Sequence, residues 1–358
     1  MMKSSWGLPA LAILLSLFFA AQASAQLQFD SKDGKSSFKV GLLGQLQAES
    51  LDNAGGDEAQ NLFLRRLRLL MNYKLGDKLT VFLDTDSPNL GKAAANGQKN
   101  TGDLFLQDLI VTWTFSKAFQ LDGGLLQTPL SFNQQQSAAT LVPVDYGNYT
   151  FVTSGPLEGR NGRDYGLQAR GYLAGDRFEY RLGVFDGARG VGATNDLRFT
   201  GRAMWWIRGG QTTFFYRGNS LGKNQSLGVG ASYDHQEDYS TLTFDAFLDQ
   251  PLGNGDGLTL QADYSRIDGG GFINLAKQDD LLLEAGYYLA AAKLQPFLQY
   301  AAQDFDDPAR PDEEKLQVGL GWFPGGHGSA LKLGYGRIER DGSEDVDQIV
   351  LQWQVFQF

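Results

Sequence analysis

Apolar and polar residues alternate with period two along most of this chain, the pattern of strands with one face in an apolar medium and the other in water. Residues 78–86 (KLTVFLDTD) set Leu79, Val81 and Leu83 on one face and Thr80, Phe82, Asp84 and Asp86 on the other. At 258–266, Leu258, Leu260, Ala262 and Tyr264 alternate with Thr259, Gln261, Asp263 and Ser265. At 314–322, Leu316, Val318, Leu320 and Trp322 oppose Lys315, Gln317, Gly319 and Gly321. Strands are predicted near 37–49, 61–74, 78–86, 103–115, 118–128, 163–173, 177–186, 197–207, 224–235, 239–249, 257–267, 280–290, 293–303, 314–322, 329–339 and 346–358. About sixteen is an even number, as a single-chain bacterial barrel with both ends on one side requires.

The connections differ in kind. Leu75-Gly76-Asp77, Ser116-Lys117 and Ala174-Gly175 are short turns, whereas 87–102, 129–162 and 304–313 are long and polar. The alternation assigns the short set to one side of a membrane and the long set to the other. Residues 208–223 are the least regular, and Thr212 to Arg217 has the character of one more short strand, which would break the even count. In the C-terminal IVLQWQVFQF, Ile349, Leu351, Trp353 and Val355 share one phase while Phe356 and Phe358 lie on the other. A bulge near the end would reconcile them.

So many apolar faces must be covered. A soluble sandwich would use a second sheet, and a barrel would use lipid. The N-terminus favours the barrel: Lys3, the apolar run Leu8 to Ala21 and Ala23-Ser24-Ala25 have the form of a cleavable export signal over 1–25. That run is shorter than the roughly 20 apolar residues of a membrane-spanning helix. Residues 26–358 are then expected to form one domain, an all-β transmembrane antiparallel barrel in the bacterial outer membrane.

Composition agrees, with 45 Gly, 24 Phe, 14 Tyr and 10 Pro and no break that would divide the chain. There is no Cys, which excludes disulfides, thiolate metal sites and a cysteine nucleophile. Of the two histidines, His235 lies at a strand end and His327 in the turn PGGHGS beside Ser329, a poor start for catalysis. GGLL, GNGDG and DGGG precede no helix and are turn or strand elements, not phosphate cradles. No cofactor, metal or nucleic acid is expected.

Arginines recur on the polar phase. In FLRRLRLLMNYKL (63–75), Leu67, Leu69, Met71 and Tyr73 take the lipid side, so Arg66, Arg68, Asn72 and Lys74 face the lumen, with Leu70 an exception. Arg65 falls on the lipid phase, where it would snorkel to the extracellular edge. The same parity sends Gln168, Arg170, Arg177, Glu179, Arg181, Arg198 and Arg202 inward. Residues two apart on a strand sit about 6.8 Å apart, which makes a cationic ladder down one wall. The ladder has two readings: a path for anions, or bracing of the wall by inward acids such as Asp84, Asp86, Asp108, Glu179 and Asp263.

FLRRLRLLMNYKLGDKLTVFLDTD, GRDYGLQARGYLAGDRFEYRLGVFDG and FFYRGNSLGKNQSLGVGASYD, in this order and spacing, resemble the phosphate-selective porin O and P family over most of the mature chain. The resemblance implies a homotrimeric, sixteen-stranded porin with a constriction loop folded into the lumen, arginines along the vestibule and lysines holding phosphate at the narrowest point. The corresponding loop, 129–162, contains Arg160 and no Lys. The arginine wall carries over onto Arg66, Arg68, Arg163, Arg170, Arg181, Arg198 and Arg202, with Lys74 and Arg160 as further cations of the expected anion pathway.

The expected function is passive diffusion of small anions, phosphate among them. The alternative is a general-diffusion or sugar-type porin of weak ion selectivity, with Trp113, Trp205, Trp206, Tyr146, Tyr149 and Phe151 as stacking surfaces. An enzyme or a sealed structural protein is the remaining reading. The formal net charge is −10, much of it in Asp304 to Glu314 and Asp341 to Asp347. These acids form a solvated rim or bridge divalent cations to lipopolysaccharide or a neighbouring subunit.

Overall fold

Every alternating segment becomes a strand. The computed structural model describes residues 27–358 apart from 53–57, 95, 156, 158, 190–195 and 273. The expected leader, 1–25, lies outside the described residues. After a short β1 (Leu27–Asp30) come β2 (Ser36–Asp52), β3 (Glu58–Leu75), β4 (Leu79–Asp86), β5 (Phe105–Ser116), β6 (Phe119–Gln127), β7 (Arg163–Leu173), β8 (Phe178–Phe185) and β9 (Arg198–Arg208). The second half adds β10 (Ser226–Gln236), β11 (Tyr239–Pro251), β12 (Gly257–Asp268), β13 (Gln278–Tyr288), β14 (Leu294–Phe305), β15 (Glu313–Trp322), β16 (Ser329–Arg340) and β17 (Val346–Gln357). Each strand from β2 to β17 pairs antiparallel with the next, and β17 returns to β2 from Gln348↔Leu51 to Gln357↔Leu42, which closes a sixteen-stranded barrel with no free edge.

The outer face bears the apolar phase. Leu182 and Leu167 are each 59% exposed and Phe199 is 53% exposed, with Val111, Leu260, Val318 and Leu333 in the same belt. Apolar exposure on this scale is stable only against lipid. Aromatic residues edge the belt: Tyr73, Trp113, Phe119 and Trp205 near one rim, Tyr165, Tyr233, Tyr264 and Tyr335 near the other, as in membrane barrels.

The sequence does not reveal how the ends of the chain meet. β1 pairs with β2 from Leu27↔Val40 to Asp30↔Ser37, so it continues the line of β17 along the same strand. Gly41 sits at the junction, where a Cβ would lie 2.2 Å from the Gln357 carbonyl oxygen and 2.5 Å from the Phe358 ring. β17 is paired on both sides without a bulge, contrary to the expected one. Phe356 and Phe358 instead turn inward against Leu43, Leu70, Ala138 and Ala139. The exceptional Leu70 has the same explanation: an apolar floor inside the lumen.

Two connections enter the barrel, and they fill part of it. Residues 128–162 fold inward from the side of the long loops and include α1 (Phe132–Gln135), whose four residues are all buried. Residues 209–225 enter from the opposite, turn side and form no strand; Tyr216 makes one parallel bridge to Gln136. The expected division into short and long sides therefore fails here, because 209–225 is an insert and not a turn. Conversely, Glu237 and Asp238 alone join β10 to β11 on the long-loop side.

Gly41→Ala should force the end seam apart at a cost of about 1–3 kcal/mol for overpacking. A lower unfolding midpoint on heat-modifiability gels is the expected result.

Candidate functional site

The inner loop, 128–162, is positioned by polar side chains on the luminal phase of the strands. Gln45 donates to the Ala138 carbonyl at 3.3 Å, Gln354 to Ala139 at 3.0 Å, Gln352 to Val144 at 3.2 Å and Gln299 to Asp145 at 3.2 Å. Lys332 on β16 donates to the carbonyls of Leu141 and Pro143 at 2.6 and 2.7 Å. An inserted loop cannot satisfy its backbone from a sheet, so the wall supplies the donors. At the start of the loop, Ser131 caps α1, Asn133 donates its backbone N–H to Asp263 at 2.9 Å, and Arg202 donates to the Leu130 carbonyl at 3.0 Å.

The lower insert docks on this loop. Tyr216 donates its N–H to the Gln135 carbonyl, Ser137 returns one to Tyr216, and Asn219 donates to the Thr140 carbonyl, each at 2.9 Å. Phe132 stacks between Tyr216 and Phe247, with ring centroids 4.9 and 4.0 Å away, and Trp206 closes the cluster edge-on. His327 holds the far end through the Asn219 carbonyl at 2.8 Å; burial and then the nearby Lys332 ammonium push its pKa down to about 4. The lumen beside β9 and β11 is thus packed, while a small cavity of about 40 Å³ remains between the loop and β11 to β13.

Arg177 does not face the lumen but is exposed in the turn before β8; the other inward arginines form the expected ladder, each beside a carboxylate. Arg68 meets Asp86 at 2.9 Å and Asp84 at 3.3 Å, Arg163 meets Asp108 at 3.1 Å, and Arg170 meets Asp122 at 2.7 Å. Arg181 meets Glu179 at 2.6 Å, Arg198 meets Asp234 at 2.6 Å, and Arg202 meets Asp245 at 2.5 Å. Asp84, Asp86, Asp108 and Glu179 brace the wall as the second reading required, whereas Asp263 accepts from the inner loop.

What remains open is a passage between the inner loop and the wall, beside β2, β3, β15 and β17 above and beside β2 to β5 and β7 below. An upper vestibule of about 320 Å³ is lined by Arg65, Arg66, Arg68, Lys92, Arg163 and Lys315 against Glu49, Asp86 and Asp145. A lower chamber of about 510 Å³ is lined by Arg68, Arg163, Arg170 and Arg217 against Asp84, over an aromatic floor. Arg68, Arg163 and Tyr146 line both spaces, which makes them the constriction. Asp108 and Asp122 are fully buried and line neither space.

Of the expected pathway residues, Arg66, Arg68, Arg163 and Arg170 therefore meet the passage. Arg181, Arg198 and Arg202 are buried in the packed half and line neither space. Lys74 stands at the turn side, 4.0 Å from Asp77. Arg160 is exposed beside the upper opening with its guanidinium over the Phe105 ring at 4.6 Å. Of the stacking candidates, Trp113 and Trp205 lie in the outer belt, Trp206 is buried, and Tyr146 and Phe151 line the vestibule.

Arg65 is a correction. β2 and β3 slip register so that Gln45 faces Arg66 and Leu46 faces Leu64, leaving Arg65 in a bulge. Its side chain turns to Asp145 at 2.5 Å instead of snorkelling outward. The slip is visible as a change of apolar phase from Leu62 and Leu64 to Leu67 and Leu69. Asp145 also meets Arg66 at 2.6 Å, a partnership that strand parity does not reveal. Asp145 and Glu158 are the only acids in 129–162.

Burial alone would raise the Asp145 carboxyl, but the Arg65 and Arg66 guanidiniums hold it well below the ordinary carboxylate range. A carboxyl depressed in this way stabilises the fold above its unfolded pKa of about 3.9, and that contribution is lost only as pH falls through the lower folded value. The loop clamp, and with it the single-channel conductance, should therefore hold between about pH 7 and pH 4. Asp145→Asn should loosen the loop at a cost of about 1–3 kcal/mol, below the full cost of breaking a buried pair because the side chain is 29% exposed. Open-channel noise reads the change.

Comparison with solved structures finds outer-membrane proteins, a porin among them. An anion-selective porin from Comamonas acidovorans aligns with 90% of this chain and 100% of its own at 14% identity, TM-score 0.61. OmpF of Salmonella typhi aligns with 92% and 100% at 13% identity, TM-score 0.60. OmpT of Vibrio cholerae in its trimer form aligns with 89% and 99% at 12% identity, TM-score 0.53. No protein-family model and no curated protein matches the chain. At such identities the likeness is one of fold. With its apolar belt, that fold makes the chain a sixteen-stranded barrel of porin type in the bacterial outer membrane.

Proposed function

We propose that this barrel is a water-filled channel for passive diffusion of small anions, inorganic phosphate among them, working as a homotrimer in a lipopolysaccharide-bearing membrane. The observation that carries this reading is the lining of the constriction. The guanidiniums of Arg68 and Arg163 face the passage, while the Asp108 carboxylate that braces Arg163 is withdrawn behind it. Basic side chains outnumber acids around both spaces. A unit charge pair at 4 Å is worth about 1 kcal/mol in bulk water and about 4 kcal/mol at an effective dielectric of 20. Sites of that depth attract an anion and still release it. Lys92 and Lys315 at the vestibule supply ammonium groups that the inner loop lacks. The trimer rests on the family resemblance and on the trimer form of the Vibrio cholerae neighbour.

One observation favours general diffusion with weak selectivity. Arg68 is shared between Asp84 and Asp86, and each of these keeps one buried oxygen without a hydrogen-bond partner, so the constriction also carries negative charge.

The double variant Lys92→Gln with Lys315→Gln separates the two. A unit charge about 10 Å from a permeating ion in water is worth about 0.4 kcal/mol, a factor of about two. The variant should lower the anion-to-cation permeability ratio by about two- to fourfold and weaken the block of chloride current by added phosphate. Unchanged permeability and block would favour general diffusion.

A further inference from the structure

A porin lumen is ordinarily polar, yet the lower chamber has an apolar floor. Phe82 from β4, Phe214 and Phe215 from the lower insert, and Phe356 and Phe358 from the end of the chain all line it. These rings are ordered against one another: Phe82 lies edge-on to Phe215 at 5.7 Å and to Phe358 at 5.9 Å, and Phe214 lies edge-on to Phe215 at 4.9 Å. The chamber holds about 510 Å³, a volume suited to a small organic molecule. Aromatic surface left against water in a space of that size is a cost that binding an apolar body would offset.

Above the floor stand guanidiniums with donors to spare. Arg163 uses its Nε and Nη2 on Asp108 and its Nη1 on the Asn161 carbonyl, three of its five N–H groups. Arg170 uses Nε on Asp122 and Nη1 on the Tyr172 hydroxyl. Each arginine is held rigid by its acid on one edge and can donate from the other, the arrangement that recognises a carboxylate.

We propose that the lower chamber is a binding site for an organic monoanion with an aromatic body, its carboxylate at Arg163 and Arg170 and its ring on Phe82, Phe214 and Phe215. This rests on the channel reading above and narrows its solute class. It also gives the lower insert a role: residues 209–225 bring Phe214 and Phe215 into the lumen, with Phe215 6.0 Å from the Arg163 guanidinium and Phe214 5.6 Å from that of Arg170. Inorganic phosphate has no group for this floor, so the chamber discriminates between anions of equal charge by their apolar surface.

The test uses benzoate and acetate, which share a carboxylate and differ in the ring. Calorimetric titration of the refolded full-length barrel should show benzoate binding at least tenfold tighter than acetate. Phe214→Ala with Phe215→Ala should remove most of that difference, while Phe115→Ala on the outer belt should leave it intact. Equal binding of the two acids, or a preference for benzoate untouched by the Phe214 and Phe215 changes, would overturn the site. KCl conductance in a planar bilayer is read separately. Conduction without selective benzoate binding removes this inference and leaves the channel; selective benzoate binding without conduction removes the channel and leaves the site.

Discussion

A guanidinium inside a protein-filled barrel needs a carboxylate beside it, and the interior of this molecule is organised around that requirement. Taking one charge out of water without its partner costs several kcal/mol, and removing one member of a buried pair costs about 3–5 kcal/mol. The strands meet the requirement by placing the acid one or two strands away and within about two residues of the arginine's own level: Asp84 and Asp86 on β4 for Arg68 on β3, Asp122 on β6 for Arg170 on β7, Asp245 on β11 for Arg202 on β9. Where no strand supplies the acid, the inner loop does. Asp145 answers both Arg65 and Arg66, and in doing so sets the distance between the loop and the wall.

That distance makes the passage. The inner loop lies against β2, β14, β16 and β17 through glutamines and Lys332, and against β9 and β11 through the Phe132 cluster, and the remaining space runs beside β2, β3, β15 and β17 above and beside β2 to β5 and β7 below. The lower insert narrows this space with Phe214 and Phe215, which line the lower chamber. A polar vestibule and an aromatic chamber then meet at Arg68, Tyr146 and Arg163. Pairing fixes Arg163 without masking it, since its bidentate contact with Asp108 occupies only one edge of the guanidinium, whereas Arg68 gives one edge to Asp86 and the other to Asp84.

The barrel was legible because a strand between lipid and water repeats its chemistry every two residues. All sixteen strands fall within a few residues of their expected positions, and the inward parity of Arg66, Arg68, Arg170, Arg181, Arg198 and Arg202 follows from that period. The chemistry of the passage was less legible, because period two says which face a residue occupies and nothing about what stands opposite. The bulge at Arg65 left a trace in the shifted leucines. Phe356 and Phe358 lie on the luminal phase, but period two gives no sign of an aromatic floor inside the barrel, and a bulge is the reading it offers in its place. The partnership of Asp145 with Arg65 and Arg66, and the entry of 209–225 into the lumen, depend on contacts across about eighty residues or more and left no local signal.

On the proposed channel reading, the paired arginines still leave the constriction electropositive to a passing ion. The zero-current potential of the refolded protein in a planar bilayer under a KCl gradient tests it most directly. An anion-signed potential is expected, shrinking as salt rises and the Debye length falls from about 10 Å at 0.1 M to about 3 Å at 1 M. A potential at zero, or of cation sign, would mean that Asp84, Asp86 and Asp145 cancel the arginine field, and would contradict it.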